Sequence, residues 1–123
     1  MKFHHIGIAT KDLKKSLKFV QDNFEIKDIS EEIYDKNQDA TLQMIQTKDI
    51  NIELVSGSMV EKLIKANTTY YHICYEVKDI FKAIDEFKGT MVISTPKEAI
   101  LFDNRLVAFL MTPLGLVELL NAT

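Results

Sequence analysis

Two histidines and two glutamates in this chain stand where they could share one metal ion. His5 lies in Phe3-His4-His5-Ile6-Gly7-Ile8-Ala9-Thr10-Lys11-Asp12-Leu13, and the stretch returns as Tyr71-His72-Ile73-Cys74-Tyr75-Glu76-Val77-Lys78-Asp79-Ile80. His72 takes the place of His5, and Lys78-Asp79 that of Lys11-Asp12. Glu53, in Asn51-Ile52-Glu53-Leu54-Val55, is matched in the same way by Glu118, in Leu116-Val117-Glu118-Leu119-Leu120. The histidines are 67 positions apart and the glutamates 65, so the duplication runs through a whole half of the chain. Each half therefore opens with an imidazole and closes with a carboxylate, both inside short apolar runs. Carboxylates buried without a partner are costly. Two neutral imidazoles and two carboxylates around a divalent cation make a charge-balanced N/O site acceptable to Zn, Ni, Co or Mn. Such a cation acidifies the C–H beside a carbonyl that chelates it, and a neighbouring carboxylate then takes the proton.

The elements that must position these groups follow from periodicity. Lys2 to Ala9 alternates as a strand, with Phe3, His5 and Gly7 on one face and His4, Ile6 and Ile8 on the other. Asp12 then caps a helix whose apolar stripe is Leu13, Leu17, Val20 and Phe24. Ile26 to about Tyr34 reads as a strand and Asp35-Lys36-Asn37-Gln38-Asp39 as a polar turn; Ala40 to Gln46 and Asn51 to Val55 read as strands. Ser58-Met59-Val60-Glu61 has the form of a capping box opening a short bridging helix. The second half repeats the order. It has a strand at Tyr70 to Val77, a helix capped by Asp79 and ended by Gly89, and strands at Met91 to Ser94, near Ala99 to Phe102, at Arg105 to Met111 and at Leu116 to Asn121.

The expected fold is α+β, two tandem βαβββ modules forming a curved eight-stranded mixed sheet around a metal cleft. It is a single domain, with modules at 1–56 and 70–123 and a linker helix at 57–69. One such half has a helix on one sheet face and nothing on the other. A pseudo-twofold pairing would therefore close the core and bring the repeated His and Glu positions together.

Composition limits the partners. A length of 123 residues fits one domain, and the 46% hydrophobic fraction supports a globular core. The net charge of −3, with no basic run, disfavours nucleic acid and anionic membrane surfaces. A single cysteine excludes an intrachain disulfide, and no apolar run reaches the ~20 residues of a membrane span. With no signal peptide at its start, the chain reads as soluble and cytoplasmic. Sheet edges in need of cover suggest a homodimer.

The two openings, together with Arg105-Leu-Val-Ala-Phe-Leu-Met-Thr-Pro-Leu-Gly-Leu-Val-Glu-Leu-Leu120, resemble the vicinal oxygen chelate superfamily. Within it the likeness is to methylmalonyl-CoA epimerase and its glyoxalase I relatives, and it covers essentially the whole chain. The resemblance implies metal ligands at His5, Glu53, His72 and Glu118, with Glu118 also exchanging protons. It implies an epimerase or isomerase acting on an acyl thioester or a 2-oxo compound. The alternatives are a glyoxalase I-like lactoylglutathione lyase or a non-catalytic ligand binder. A ring-cleaving dioxygenase or antibiotic-modifying transferase tends to use three protein ligands, and a fourth at Glu53 counts against it.

Two departures from the pattern stand out. The position of the epimerases' second acid–base glutamate falls on Asn37, an amide flanked by Asp35 and Asp39. The glyoxalase arginine that meets the glutathione carboxylate has no counterpart, since Ala9-Thr10 follows Ile8. Asn37 and Arg105 are the candidate substrate contacts. Against them stands the plainer reading of an exposed turn, as His4 and Glu76 read as structural or rim residues and Cys74 as a small buried thiol. Phe102, Phe109, Met44 and Met111 read as core, with a cleft lining as the alternative.

Overall fold

The computed structural model describes residues 1–123, which fall into two compact units, His5–Tyr71 and His72–Thr123 with Met1–His4. In the N-terminal unit β1 (Lys2–Ala9) leads into α1 (Leu13–Asn23), followed by β2 (Ile26–Ile29), β3 (Ile33–Asp35), β4 (Ala40–Thr47), β5 (Asn51–Gly57), a 3-10 turn at Ser58–Val60 and α2 (Glu61–Lys65). Asp12 starts α1 as expected, its side chain accepting from the Lys15 N–H at 3.1 Å. Leu13 and Val20 of α1 pack on Ile45, Ile52 and Leu54, the apolar face of a sheet ordered β2-β4-β5-β1. Phe24 departs from the expected stripe. It is the extended residue that ends the helix and is 41% exposed.

The segment expected as one strand from Ile26 is two, β2 and β3, and the sheet has nine strands where eight were expected. Both pieces lie along the same edge of β4, Ile29 opposite Ile45 and Ile33 opposite Leu42, so the chain takes one residue more than its partner between them. Ser30 covers the break. Its Oγ accepts from the Met44 N–H and its own N–H donates to the Met44 carbonyl, both at 2.9 Å. The capping box expected at Ser58 does not form. Residues 58–60 make a 3-10 turn, and the Ser58 hydroxyl donates to the Asp39 carboxylate instead.

The C-terminal unit contains β6 (Tyr70–Val77), α3 (Ile80–Glu86), β7 (Met91–Ala99), a 3-10 turn at Ile100–Phe102, β8 (Arg105–Thr112) and β9 (Gly115–Asn121). Its sheet order is β6-β9-β8-β7. Asp79 caps α3, accepting from the N–H groups of Phe81 and Lys82. Ile80 of α3 packs on Val77, Ala108, Leu110, Val117 and Leu119. The strand expected at Met91 to Ser94 runs on to Ala99, carried through by register shifts between Val92 and Ser94 and between Ser94 and Lys97. Ile100–Phe102 is a turn rather than strand, closed by Asp103 and Asn104 in the left-handed conformation. No helix is long and apolar enough to cross a membrane.

Candidate functional site

In the N-terminal unit β1 and β5 run parallel, with Gly7 opposite Glu53. Strand alternation then puts His5, Gly7 and Glu53 on one face, while Ile6, Ile8, Ile52 and Leu54 point the other way under α1. Gly7 places no side chain between the histidine and the glutamate. His5 and Glu53 are 0% and 1% exposed, and His5 Nε2 stands 3.7 Å from Glu53 Oε1.

The C-terminal unit repeats this arrangement on its own strands. β6 and β9 are parallel with Cys74 opposite Glu118, so in each unit the glutamate faces the residue two beyond the histidine. His72 and Glu118 are 0% and 1% exposed, with Nε2 and Oε1 3.2 Å apart. Phe109 is paired with Glu118 across β8 and β9, and its ring meets the His72 ring edge-on at 5.5 Å and 84°. That contact fixes the imidazole plane through packing.

The donor types suit a divalent cation in each pair, and the spacing does so in the C-terminal one. Ligand atoms about 2.0–2.2 Å from one ion, at angles of 90–110°, lie roughly 3.0–3.4 Å from each other. The 3.2 Å pair falls in that range and the 3.7 Å pair just beyond it, outside ordinary hydrogen-bond length. Imidazole nitrogen and carboxylate oxygen are also the donor set that Zn, Ni, Co and Mn accept. Each unit thus holds one imidazole–carboxylate pair in its interior.

The remaining candidates lie outside these pairs. Asn37 is exposed in the turn between β3 and β4, its backbone N–H donating to Asp35 Oδ1 at 2.9 Å. The buried carboxylate of that hairpin is Asp35, 4% exposed, whose other oxygen accepts from Gln38 Nε2 at 3.0 Å. Gln38 Oε1 in turn accepts from the Tyr71 hydroxyl at 3.3 Å. This chain escaped sequence reading because a polar turn gives no sign that one of its carboxylates folds inward. Its register does place it, since Asp35 opposite Ala40 shares the sheet face of Met44 and Glu53.

Arg105 is not an exposed turn residue. Its guanidinium donates to Glu76 Oε2 at 2.8 Å and to the Asn121 carbonyl at 3.3 Å, with the Phe102 ring 6.0 Å away. The hydrogen bond from Arg105 holds the Glu76 carboxyl below its ordinary range. Both side chains are about a quarter exposed, at 21% and 26%. His4 is half-buried, edge-on to Phe102 at 5.5 Å, and belongs to neither metal-type pair. Cys74 is buried. Met44, 8% exposed, lies opposite Glu53.

Several solved structures share the fold. A hypothetical protein from Bacillus halodurans C-125 is 24% identical with a TM-score of 0.78, over 99% of this chain and 94% of that one. Methylmalonyl-CoA epimerase from Mycobacterium tuberculosis is 17% identical with a TM-score of 0.81, over 99% and 88%. A selenomethionine methylmalonyl-CoA epimerase is 18% identical with a TM-score of 0.70, over 100% and 96%. No curated protein matches the chain in sequence. Residues 4–109 match the family model for the Glyoxalase/Bleomycin resistance protein/Dioxygenase superfamily, so the span from His4 through the repeated openings to Phe109 carries the family pattern, and the chain belongs to that superfamily.

Proposed function

We propose that His5, Glu53, His72 and Glu118 together hold one divalent cation, and that the protein is a metal-dependent isomerase of the epimerase kind. Its substrate is an acyl thioester or a 2-oxo compound. The observation that carries this reading is the pair made twice, a buried imidazole within 3.2–3.7 Å of a buried carboxylate in each unit of a duplicated chain. Membership of a superfamily whose members use divalent metals supports it. When bound, the cation supplies Lewis acidity toward a substrate carbonyl.

The chain's own residues do the rest. His5, Glu53 and His72 would hold the cation together with Glu118, and Phe109 fixes the His72 ring and keeps water off it. Glu118 takes the proton from the carbon beside the carbonyl and returns it. Asn37 and Arg105 are the proposed contacts for the polar end of the substrate. The modules at 1–56 and 70–123, joined through 57–69, act as one domain in a cytoplasmic homodimer.

A specific observation favours a second reading, a glyoxalase I-like lyase in which one carboxylate serves throughout. Inversion of a carbon needs a proton carrier on each face. Asn37 cannot carry a proton, and both oxygens of Asp35 already accept hydrogen bonds from its own turn. Metal analysis of the purified protein should give one divalent ion per chain. Solvent deuterium should then enter candidate acyl thioesters or hemithioacetals at the carbon beside the carbonyl. Inversion at that carbon in the unaltered protein, lost in Asp35→Asn, selects the epimerase; exchange without inversion in the unaltered protein selects the one-carboxylate enzyme. Protein without metal and without exchange would leave only a ligand-binding member of the fold.

A further inference from the structure

The strand register of the C-terminal unit continues outward from His72 in an apolar row. One step back from the Ile73–Val117 pair, His72 of β6 stands beside Leu116 of β9. Leu116 is opposite Met111 of β8, and Met111 is opposite Met91 of β7. Cross-strand partners point to the same side of a sheet, so these four residues share the face of Glu118. The edge-on contact between His72 and Phe109, the partner of Glu118, places the imidazole on that face independently of the register.

Exposure climbs along the row. His72 is buried, Leu116 half-buried, Met111 42% exposed and Met91 62% exposed. Four residues beyond His72 on the same face stands Glu76, ion-paired with Arg105, and past the buried Leu120 and Val107 of that row lies the exposed Lys97. A polar end and an apolar end thus flank the proposed metal ligands of this unit. Exposed large apolar side chains set in line with a functional group mark a binding surface more often than isolated ones do. Methionine, unbranched and polarisable, adapts to alkyl groups of varied shape.

We propose, resting on the metal-site reading above, that the row Leu116–Met111–Met91 receives the apolar tail of the substrate. The substrate class is then a 2-oxo or acyl compound with an extended alkyl chain. Neighbouring strands are about 4.8 Å apart, so Leu116 to Met91 spans roughly 10 Å, about the extended length of a seven- or eight-carbon chain. A substrate with only a methyl branch would leave the row uncovered.

Calorimetric titration of the metal-loaded protein with straight-chain 2-oxo acids of three to twelve carbons tests this. Affinity should rise roughly two- to fourfold per added methylene and level off near ten carbons, when the tail beyond the carbonyl has about eight. Met111→Glu and Met91→Glu, both at exposed positions the fold tolerates, should each weaken 2-oxooctanoate binding by about tenfold or more and leave 2-oxopropanoate within about twofold. Affinity independent of chain length, or a slope unchanged in Met111→Glu, overturns the proposal while leaving the metal site standing. The same titrations on chelator-stripped protein separate the two ideas. Uniformly weaker binding with the slope kept supports both, and a slope with no chelator effect supports the row and removes the metal reading.

Discussion

Burying a carboxylate is expensive, and this chain does it twice beside an imidazole that is itself buried. The arrangement is intelligible if proton transfer and cation binding set the residue types, and it makes the roles separable. Glu118→Gln keeps the size and one oxygen but abolishes basicity, so deuterium exchange should fall by about 100-fold or more. His4→Ala, which removes a ring set edge-on to Phe102 outside either pair, should leave exchange within a few-fold; equal loss in both variants would show that the wrong histidine had been chosen. Glu76 makes a pH prediction. The hydrogen bond from Arg105 holds its folded carboxyl below the unfolded range, so the pair's stability is fully present above the unfolded pKa of about 4.3 and is lost as pH falls through the folded value. Glu76→Gln should accordingly cost about 1 kcal/mol at pH 7, measured by urea unfolding, and the gap to wild type should close under acid conditions.

Each half of the chain starts its main helix in the same way, with Asp12 capping α1 and Asp79 capping α3. Asp12→Ala and Asp79→Ala should each cost about 1 kcal/mol, read as a lower urea midpoint with an unchanged slope. Gly57 ends β5 at a φ of +134°, and a Cβ there would stand 2.8 Å from the Asp39 carbonyl oxygen and 3.0 Å from the Ala40 Cα. Gly57→Ala should therefore destabilise by roughly 2 kcal/mol, because backbone rather than a flexible side chain blocks the space. The helix caps were legible because an aspartate before an apolar stripe has one good use. The Ser58 box was not, since Asp39 competes for the same hydroxyl from 19 residues away. The break at Ser30 and the full length of β7 were also hidden, because their register is set by the neighbouring strand rather than by local pattern.

At the scale of the whole molecule the duplication decides most. Two units that each open strand–helix and close on a strand parallel to the first place the same two residue types at equivalent positions, on β1/β5 in one and β6/β9 in the other. If the cation is held as proposed, a chelator should lower the melting temperature of the purified protein, and added Zn, Ni, Co or Mn should restore it in proportion to affinity. An unchanged melting curve would count against the site. The outermost strands β2 and β7 each pair on one side only, which is the reason to expect the homodimer. Sedimentation at micromolar concentration should give twice the chain mass, and a monomer would remove that expectation.

The sequence by itself determined the repeat, the α+β class and the identity of the two imidazoles and two carboxylates, because a copied stretch must fold the same way twice and strand alternation then assigns faces. Only the tertiary structure decided that Arg105 is tied to Glu76, that Asp35 rather than Asn37 turns inward, and that an apolar row leads away from His72. Those facts depend on which strand lies next to which and in what register, and residues far apart in the chain settle that through burial.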